Sequence, residues 1–395
     1  MQTYSYYQKI FKDTPTPFAF VDMDILDQNI SAIKQRAGTK KIRIASKSIR
    51  SVGILSYILN SDPQFEGLMC YAISEALWLA GLGFDNLLVA YPSVNPAHLK
   101  GACEAVRSGK KIYLMTDSSE HLRILNQIAE KEGVVLPICV DIDMSMRFLG
   151  IHFGVHRSPI SQIADLETYL KTLETCKGLR LVGLMGYEAQ LAGLGDNMPS
   201  KWLMNRIIRM LQAISLKEVI KRRAEMVACI EKKGIRLEFV NGGGTGSLEN
   251  TSLEACVTEV AAGSGFYSPT LFDNYTKFKH LPAAGFAVEI VRKPKKDTYT
   301  CLGGGYIGSG AIGKEKLPSP YLPLGCTLDV NEGAGEVQTP VYYSGTEKLE
   351  LGMPIFMRHS KAGELCERFH ELQAVRQGQI ESTFPTYRGL HKCFV

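Results

Sequence analysis

The sequence predicts an α/β chain: a (β/α)8 TIM-like barrel over residues 24–280, with a β-rich domain made of residues 1–23 and 281–395. Three observations predict it. From about residue 40, short apolar runs rich in β-branched residues alternate with helical patterns, which is the signature of parallel βαβ units. Eight such runs fall within about 230 residues, which suits a closed barrel better than the alternative, an open doubly wound sheet. After Leu281 the texture changes to alternating or short apolar runs between Gly/Pro turns.

The strand patterns lie at 42–46, 68–72, 86–91, 111–116, 136–141, 181–187, 236–241 and 259–263. Between them the spacing predicts helices at 51–60, 74–82, 96–108, 118–132 and 161–175, and a long one over 199–233 with Trp202, Ile207, Met210, Leu211 and Ile214 at helical spacing. Serines at 74 and 118, each followed by a glutamate, read as N-caps. Beyond the barrel, β patterns occupy 284–292, 298–302, 336–343 and 353–357, and 18–22 is expected to add a strand to that domain.

Composition excludes several classes. The net charge is +5 over 395 residues, with no basic stripe interleaved with aromatics, so neither nucleic acid nor a membrane surface is the expected partner. No apolar run approaches the ~18 residues of a membrane span. Ten scattered cysteines without a C-x-x-C pair predict reduced thiols in a cytoplasmic protein. The polar N-terminus does not read as a signal peptide.

The stretch KKIRIASKS places Lys47 at the end of the first barrel strand, where barrels carry their chemistry. A surface lysine in a strand-to-helix loop is the plain alternative. A lysine amine becomes a nucleophile when neutral, and a partly desolvated pocket favours that form. The seventh strand runs into NGGGTGS, Asn241 to Ser247, and the eighth into AAGSGFY, Ala261 to Tyr267. Gly-rich loops after strands seven and eight form the usual phosphate site of such barrels. An amine on strand one together with two such loops points to pyridoxal phosphate.

TPFAFVDMDILDQNI followed by KIRIASKS resembles the opening of the fold-type III pyridoxal phosphate enzymes, the alanine racemase-like barrels. DIDMSMRFLG, GLMGYEAQ, NGGGTGS, AGSGFY and MRHSKAGELCERFHEL, in that order, are most similar to the D-threonine aldolase and D-serine dehydratase branch. The resemblance implies that Lys47 carries the cofactor as a Schiff base and that Arg147 faces its phenolic oxygen. It places Tyr187 near the pyridine ring and Gly243, Gly244, Thr245, Gly265 and Tyr267 at the phosphate. It further implies a homodimer and a divalent metal, zinc or manganese, held by a histidine and a second ligand two positions on. In this chain His359 and Cys366 are the matching pair, seven apart, with Glu364 or His391 as a third candidate.

Weaker candidates are His152 and His156 after the fifth strand, and the pair Asp22 and Asp24, of which Asp24 is expected to cap the following helix. The leading expectation is a lyase acting on D-β-hydroxy amino acids, by aldol cleavage or by dehydration. Two alternatives stand beside it. The first is a racemase with Tyr306 of GGYIGSG as the second acid/base. The second is a cofactor carrier without turnover.

Overall fold

All eight expected strands form one closed parallel barrel. Its strands are Lys41–Ala45, Phe65–Cys70, Leu87–Val89, Ile112–Thr116, Leu136–Asp141, Leu179–Gly186, Phe239–Gly242 and Glu259–Ala262. The computed structural model describes residues 2–311 and 313–395. The first and eighth strands close the ring in register, Ile42 opposite Val260 and Ile44 opposite Ala262. Leu88, Tyr113, Met115, Cys139, Val182, Met185 and Phe239 pack as one buried core. The basic residue inside the first strand is also buried. Arg43 donates to both oxygens of Glu259 (2.7 and 2.8 Å), and its guanidinium lies 5.3 Å from the Phe239 ring centre. A buried charge persists only when paired in this way.

Helices follow the strands where the spacing predicts them: Val52–Ser61, Ile73–Gly81, Pro96–Arg107, Ser119–Glu132, Ile163–Leu173 and Trp202–Lys232. Ser118 caps its helix, accepting from the His121 amide. Ser74 does not: that helix begins at Ile73, and the Glu75 carboxylate accepts the Tyr71 amide instead. A short antiparallel hairpin, Met146–Phe148 with Ile151–Phe153, follows the fifth strand and was not expected.

The chain divides into two compact units, one of residues 33–46, 58–263 and 394–395, the other of residues 1–32, 47–57 and 264–393. The barrel strands lie in the first. The second is built on a nine-stranded sheet. Strands Ala284–Lys295, Thr298–Leu302, Gln338–Tyr343 and Pro354–Arg358 match the expected β patterns. Phe18–Asp22 joins them as expected, antiparallel to Ala284–Lys295 and parallel to Glu371–Arg376. Among the described residues no helix is long and apolar enough to cross a membrane, and all ten cysteines are free.

Candidate active site

In the barrel unit, three side chains meet where strands five and six end. Asp141 closes the fifth strand, almost wholly buried. Arg157 returns from the loop beyond the hairpin, donating from Nε to Asp141 Oδ2 (2.6 Å) and from a terminal nitrogen to the Ala90 carbonyl (2.7 Å). Its guanidinium lies over two rings, 4.9 Å from the centre of Tyr91 and 5.9 Å from that of Tyr187. Burial pushes Asp141 up to about 6, against the pull of Arg157. Burial, then Glu188 and Tyr91, raise the Tyr187 hydroxyl to about 12, so it stays a proton donor at neutral pH.

The glycine loop after strand seven approaches the same ring. A Cβ on Gly244 would come within 2.9 Å of Ala192 Cβ and 3.3 Å of Tyr187 Cε2, so the close contact requires glycine. Gly243 has φ +80°, which also favours glycine. Behind the loop lies a buried charged network. Glu188 accepts from the Gly243 amide (3.1 Å), from Ser247 Oγ (2.9 Å) and from Thr251 Oγ1 (2.5 Å). Arg223, fully buried, pairs with Glu188 at 2.8 Å and with Glu254. The Gly244 amide donates to Ser247 Oγ. The amides of Gly243 and Gly244, expected to face an anion, thus hold the loop itself, and the Thr245 carbonyl is held by Arg36 (2.7 Å).

In the other unit, Lys47 sits two residues past the end of the first barrel strand, on the 3-10 turn Ser46–Ser48. It is the exposed member of an otherwise buried run from Ile42 to Ile49. The segment after His359 clamps this turn. Gly363, at φ +82°, lies so close that a Cβ would overlap the Lys47 carbonyl oxygen. Cys366 Sγ and Tyr267 Oη both donate to the Ile49 carbonyl, each at 3.2 Å. Arg50 pairs with Glu367 at 2.7 Å. Burial pushes the Cys366 thiol up to about 12 and holds Tyr267 well above its usual value, so both are neutral donors.

His359 is buried, edge-on to Tyr267 at 6.4 Å between ring centres. Neither ring nitrogen has a hydrogen-bond partner of good geometry, and burial, then Arg358, push its pKa down to about 3. Among the described residues no three His, Cys, Asp or Glu side chains gather as a metal would require.

The remaining sequence candidates fall as follows. Arg147 lies exposed on the hairpin, and it is Arg157 that reaches the strand end. Gly265 is in the short helix Ser264–Tyr267 after strand eight. Glu364 accepts the Ser309 amide (2.8 Å), and His391 lies near the C-terminus at φ 55°. Asp22, not Asp24, caps the first long helix by accepting the Ile25 amide (3.1 Å), because Asp22 is the residue preceding it. Asp24 instead accepts the Gln377 amide. Tyr306 packs its ring against Phe286 and Phe369, at 4.9 and 5.2 Å. Sequence reasoning missed Arg157, Glu188 and Asp141. For Arg157 the available signal was GVHRSP, a second arginine one loop further on.

Residues 21–270 match the family described as the alanine racemase N-terminal domain. The chain belongs to that family. Among curated relatives, a 3-hydroxy-D-aspartate aldolase of Paracoccus denitrificans is 25% identical over 251 residues, 63% of this chain and 59% of that protein. The match therefore spans less than two thirds of that relative. A D-threonine aldolase of an Arthrobacter species is 23% identical over 321 residues, 80% of this chain and 77% of that protein. Two solved structures share the fold over 95% of this chain. One is a D-threonine aldolase from Filomicrobium marinum (TM-score 0.79, 17% identity, 96% of that chain). The other is a D-threo-3-hydroxyaspartate dehydratase from Delftia sp. HT23 (TM-score 0.76, 19% identity, 98% of that chain). Structures of a D-threo-3-hydroxyaspartate dehydratase also exist as a histidine-to-alanine variant and, two positions on, as a cysteine-to-alanine variant in a metal-free form.

Each unit by itself carries a feature that fits pyridoxal phosphate: in the barrel unit an aromatic face packed against a glycine turn, and in the other unit an exposed lysine on the turn that follows a strand. The residues do not fit a metal held by His359 and Cys366. His359 is neutral, with neither ring nitrogen in a hydrogen bond of good geometry, as a ligand would be, but the Cys366 thiol is engaged by the Ile49 carbonyl. The position two beyond His359 is Lys361, whose amine donates to Ser309 Oγ (2.6 Å) and lies 3.7 Å from Glu364.

Proposed function

We propose that this chain is a pyridoxal phosphate-dependent lyase acting on D-β-hydroxy amino acids. The observation that carries the reading is Lys47, an exposed amine on a clamped turn directly following a strand of an alanine racemase-family barrel. The names of the relatives support the substrate class. Bound there, the cofactor supplies an electron sink for charge developing at the substrate Cα.

The chain's own residues then divide the remaining work. Lys47 carries the cofactor and holds or moves the proton at Cα. Tyr187 supports the ring face. Arg157, oriented by Asp141, presents a cation to an anionic oxygen, the role expected at sequence level for Arg147. The 243–245 loop, fixed by Glu188, and residues Gly265 and Tyr267 shape the phosphate end. No step is routed through a metal, since the donor set at His359 and Cys366 does not suit one. The racemase reading has less support: Tyr306, its required second acid/base, is packed among aromatic rings.

A homodimer belongs to this proposal. The helix Trp202–Lys232 carries exposed Leu203, Ile207, Met210 and Ile214 at 4-3-4 spacing, an uncovered apolar stripe suited to a second copy. Light scattering at micromolar concentration tests it.

The deciding experiment is a panel of D- and L-serine, threonine, allo-threonine, alanine and 3-hydroxyaspartate, with and without a chelator. Ammonia or aldehyde from D-β-hydroxy substrates, lost in Lys47→Ala, is the expected result. Racemised alanine as the main product would overturn it.

A further inference from the structure

The clamp on the Lys47 turn leaves His359 without a role. The residue is 3% exposed, and neither ring nitrogen has a hydrogen-bond partner of good geometry. A neutral imidazole in that state is a ready metal ligand. The charges on its own segment oppose a divalent ion. Arg358 precedes it and Lys361 lies two positions on. The two cations differ in how far they are matched. Arg358 donates to both oxygens of Asp273, at 2.7 and 2.8 Å, and to the Ser268 carbonyl at 2.8 Å, so its charge is offset on the spot.

Lys361 is held but not neutralised. Its ammonium donates to Ser309 Oγ (2.6 Å) and to the Ser309 carbonyl (3.4 Å). Its carboxylate neighbour Glu364 stands 3.7 Å away, beyond hydrogen-bond distance, and accepts from the Ser309 amide at 2.8 Å. An ammonium has three donors, and among the described residues only Ser309 takes any of them, so one N–H is left over. The loop that holds it is close-packed: a Cβ on Gly308 would come within 3.3 Å of Lys361 Cβ and 2.5 Å of Ser360 Oγ. The side chain is 43% exposed, so a solute can reach it. Lys361 also lies two residues before Gly363, the glycine pressed on the Lys47 carbonyl. The proposed cofactor lysine and this ammonium therefore belong to segments in backbone contact within one unit.

We propose that the reaction of this chain is metal-independent because Lys361 supplies the positive charge that a divalent ion would bring, donating its open N–H to the β-oxygen of the substrate. The proposal rests on the lyase reading above and deepens it. In aldol cleavage and in dehydration alike that oxygen gains negative charge as its bond breaks, and a fixed cation favours that state. Lys361 keeps its protons throughout, so its part is electrostatic. The same charge, two positions from His359, keeps metal ions away from the imidazole.

The test uses the full-length, cofactor-loaded protein and has two arms. In the binding arm, calorimetry follows zinc chloride. Lys361→Cys binds zinc at least about tenfold more tightly than the unsubstituted protein, and adding His359→Ala removes the gain. In the kinetic arm, with D-serine and D-threonine, Lys361→Gln lowers kcat at least about tenfold while the visible absorbance of the bound cofactor is unchanged. Lys361→Arg, which keeps the charge, retains more turnover than Lys361→Gln. Zinc binding by the unsubstituted protein that is lost in His359→Ala overturns the proposal. So does zinc affinity indifferent to Lys361→Cys, or an unchanged kcat in Lys361→Gln. Turnover lost on chelation and restored by zinc or manganese overturns it as well. Failure to turn over any D-β-hydroxy amino acid, with the zinc results as expected, overturns the functional reading and leaves the exclusion of metal by Lys361 standing.

Discussion

Two turns that follow barrel strands are held in opposite ways. The Lys47 turn is gripped mainly by neutral groups distant in sequence: a thiol and a phenol on the Ile49 carbonyl and a glycine pressed against the backbone. One part-exposed ion pair stands at its edge, Arg50 with Glu367, and Arg50 also donates to the Lys47 carbonyl. The 241–247 loop is gripped by charge. Glu188 collects an amide and two hydroxyls while Arg223 balances it against Glu254. Neutral hydrogen bonds each contribute modestly, about 1 kcal/mol. A buried charged network is far less forgiving, because removing one member strands the others without water. The contrast suits the two tasks proposed for these turns. A lysine that must take up and release a covalent partner benefits from a turn that can relax. A loop that shapes one end of a bound molecule benefits from rigidity.

Substitutions can break this comparison, beginning with the largest effect. Lys47→Ala lowers turnover by about 10²- to 10⁴-fold, the usual contribution of a positioned acid/base, and removes the visible absorbance of the loaded protein while circular dichroism is unchanged. Absorbance that survives the substitution would show that another amine holds the cofactor. Glu188→Ala leaves the Gly243 amide and the Ser247 and Thr251 hydroxyls without their acceptor and Arg223 with Glu254 alone, and costs about 3–5 kcal/mol in denaturant unfolding. Glu188→Gln keeps the shape and still weakens cofactor retention, read by fluorescence. A loss below 1 kcal/mol for the alanine variant would erase the distinction between the two turns.

Asp141 sharpens the comparison through pH. Its folded value of about 6 means that it takes up a proton as pH falls through 6 and releases Arg157 from its charged partner. Activity therefore declines below pH 6, and Asp141→Asn flattens that limb of the profile. The smallest effect belongs to the neutral grip. Cys366→Ala costs about 1 kcal/mol, and prolonged chelation leaves turnover in place. Metal-dependent activity restored by zinc or manganese would show that Cys366 leaves the Ile49 carbonyl to bind an ion.

The strands were readable because their apolar runs are buried on both faces and stand out against polar helical surfaces. The fifth, Leu136–Asp141, falls on its expected residues, and the others shift by one to three at their ends, where pairing rather than composition sets the limit. The 146–153 hairpin escaped notice because three-residue strands carry almost no periodic signal. That Lys47, Tyr187 and the glycine loop follow strand ends was legible because strand ends and glycine runs have local signatures. Arg157 was not, because two arginines ten residues apart look equivalent until the chain between them folds back. Cys366 is a candidate ligand through its chemistry and the family resemblance, and its partner, the Ile49 carbonyl, lies 317 residues away along the chain.

By itself the sequence determined the barrel, the β-rich sheet and the amine at the first strand's end, since each depends on residue type and short-range spacing. Tertiary structure alone decided which arginine meets Asp141, which acid holds the glycine loop and what the late cysteine donates to. Those outcomes depend on distances between segments remote along the chain, and burial then fixes whether a group there is charged, paired or left open.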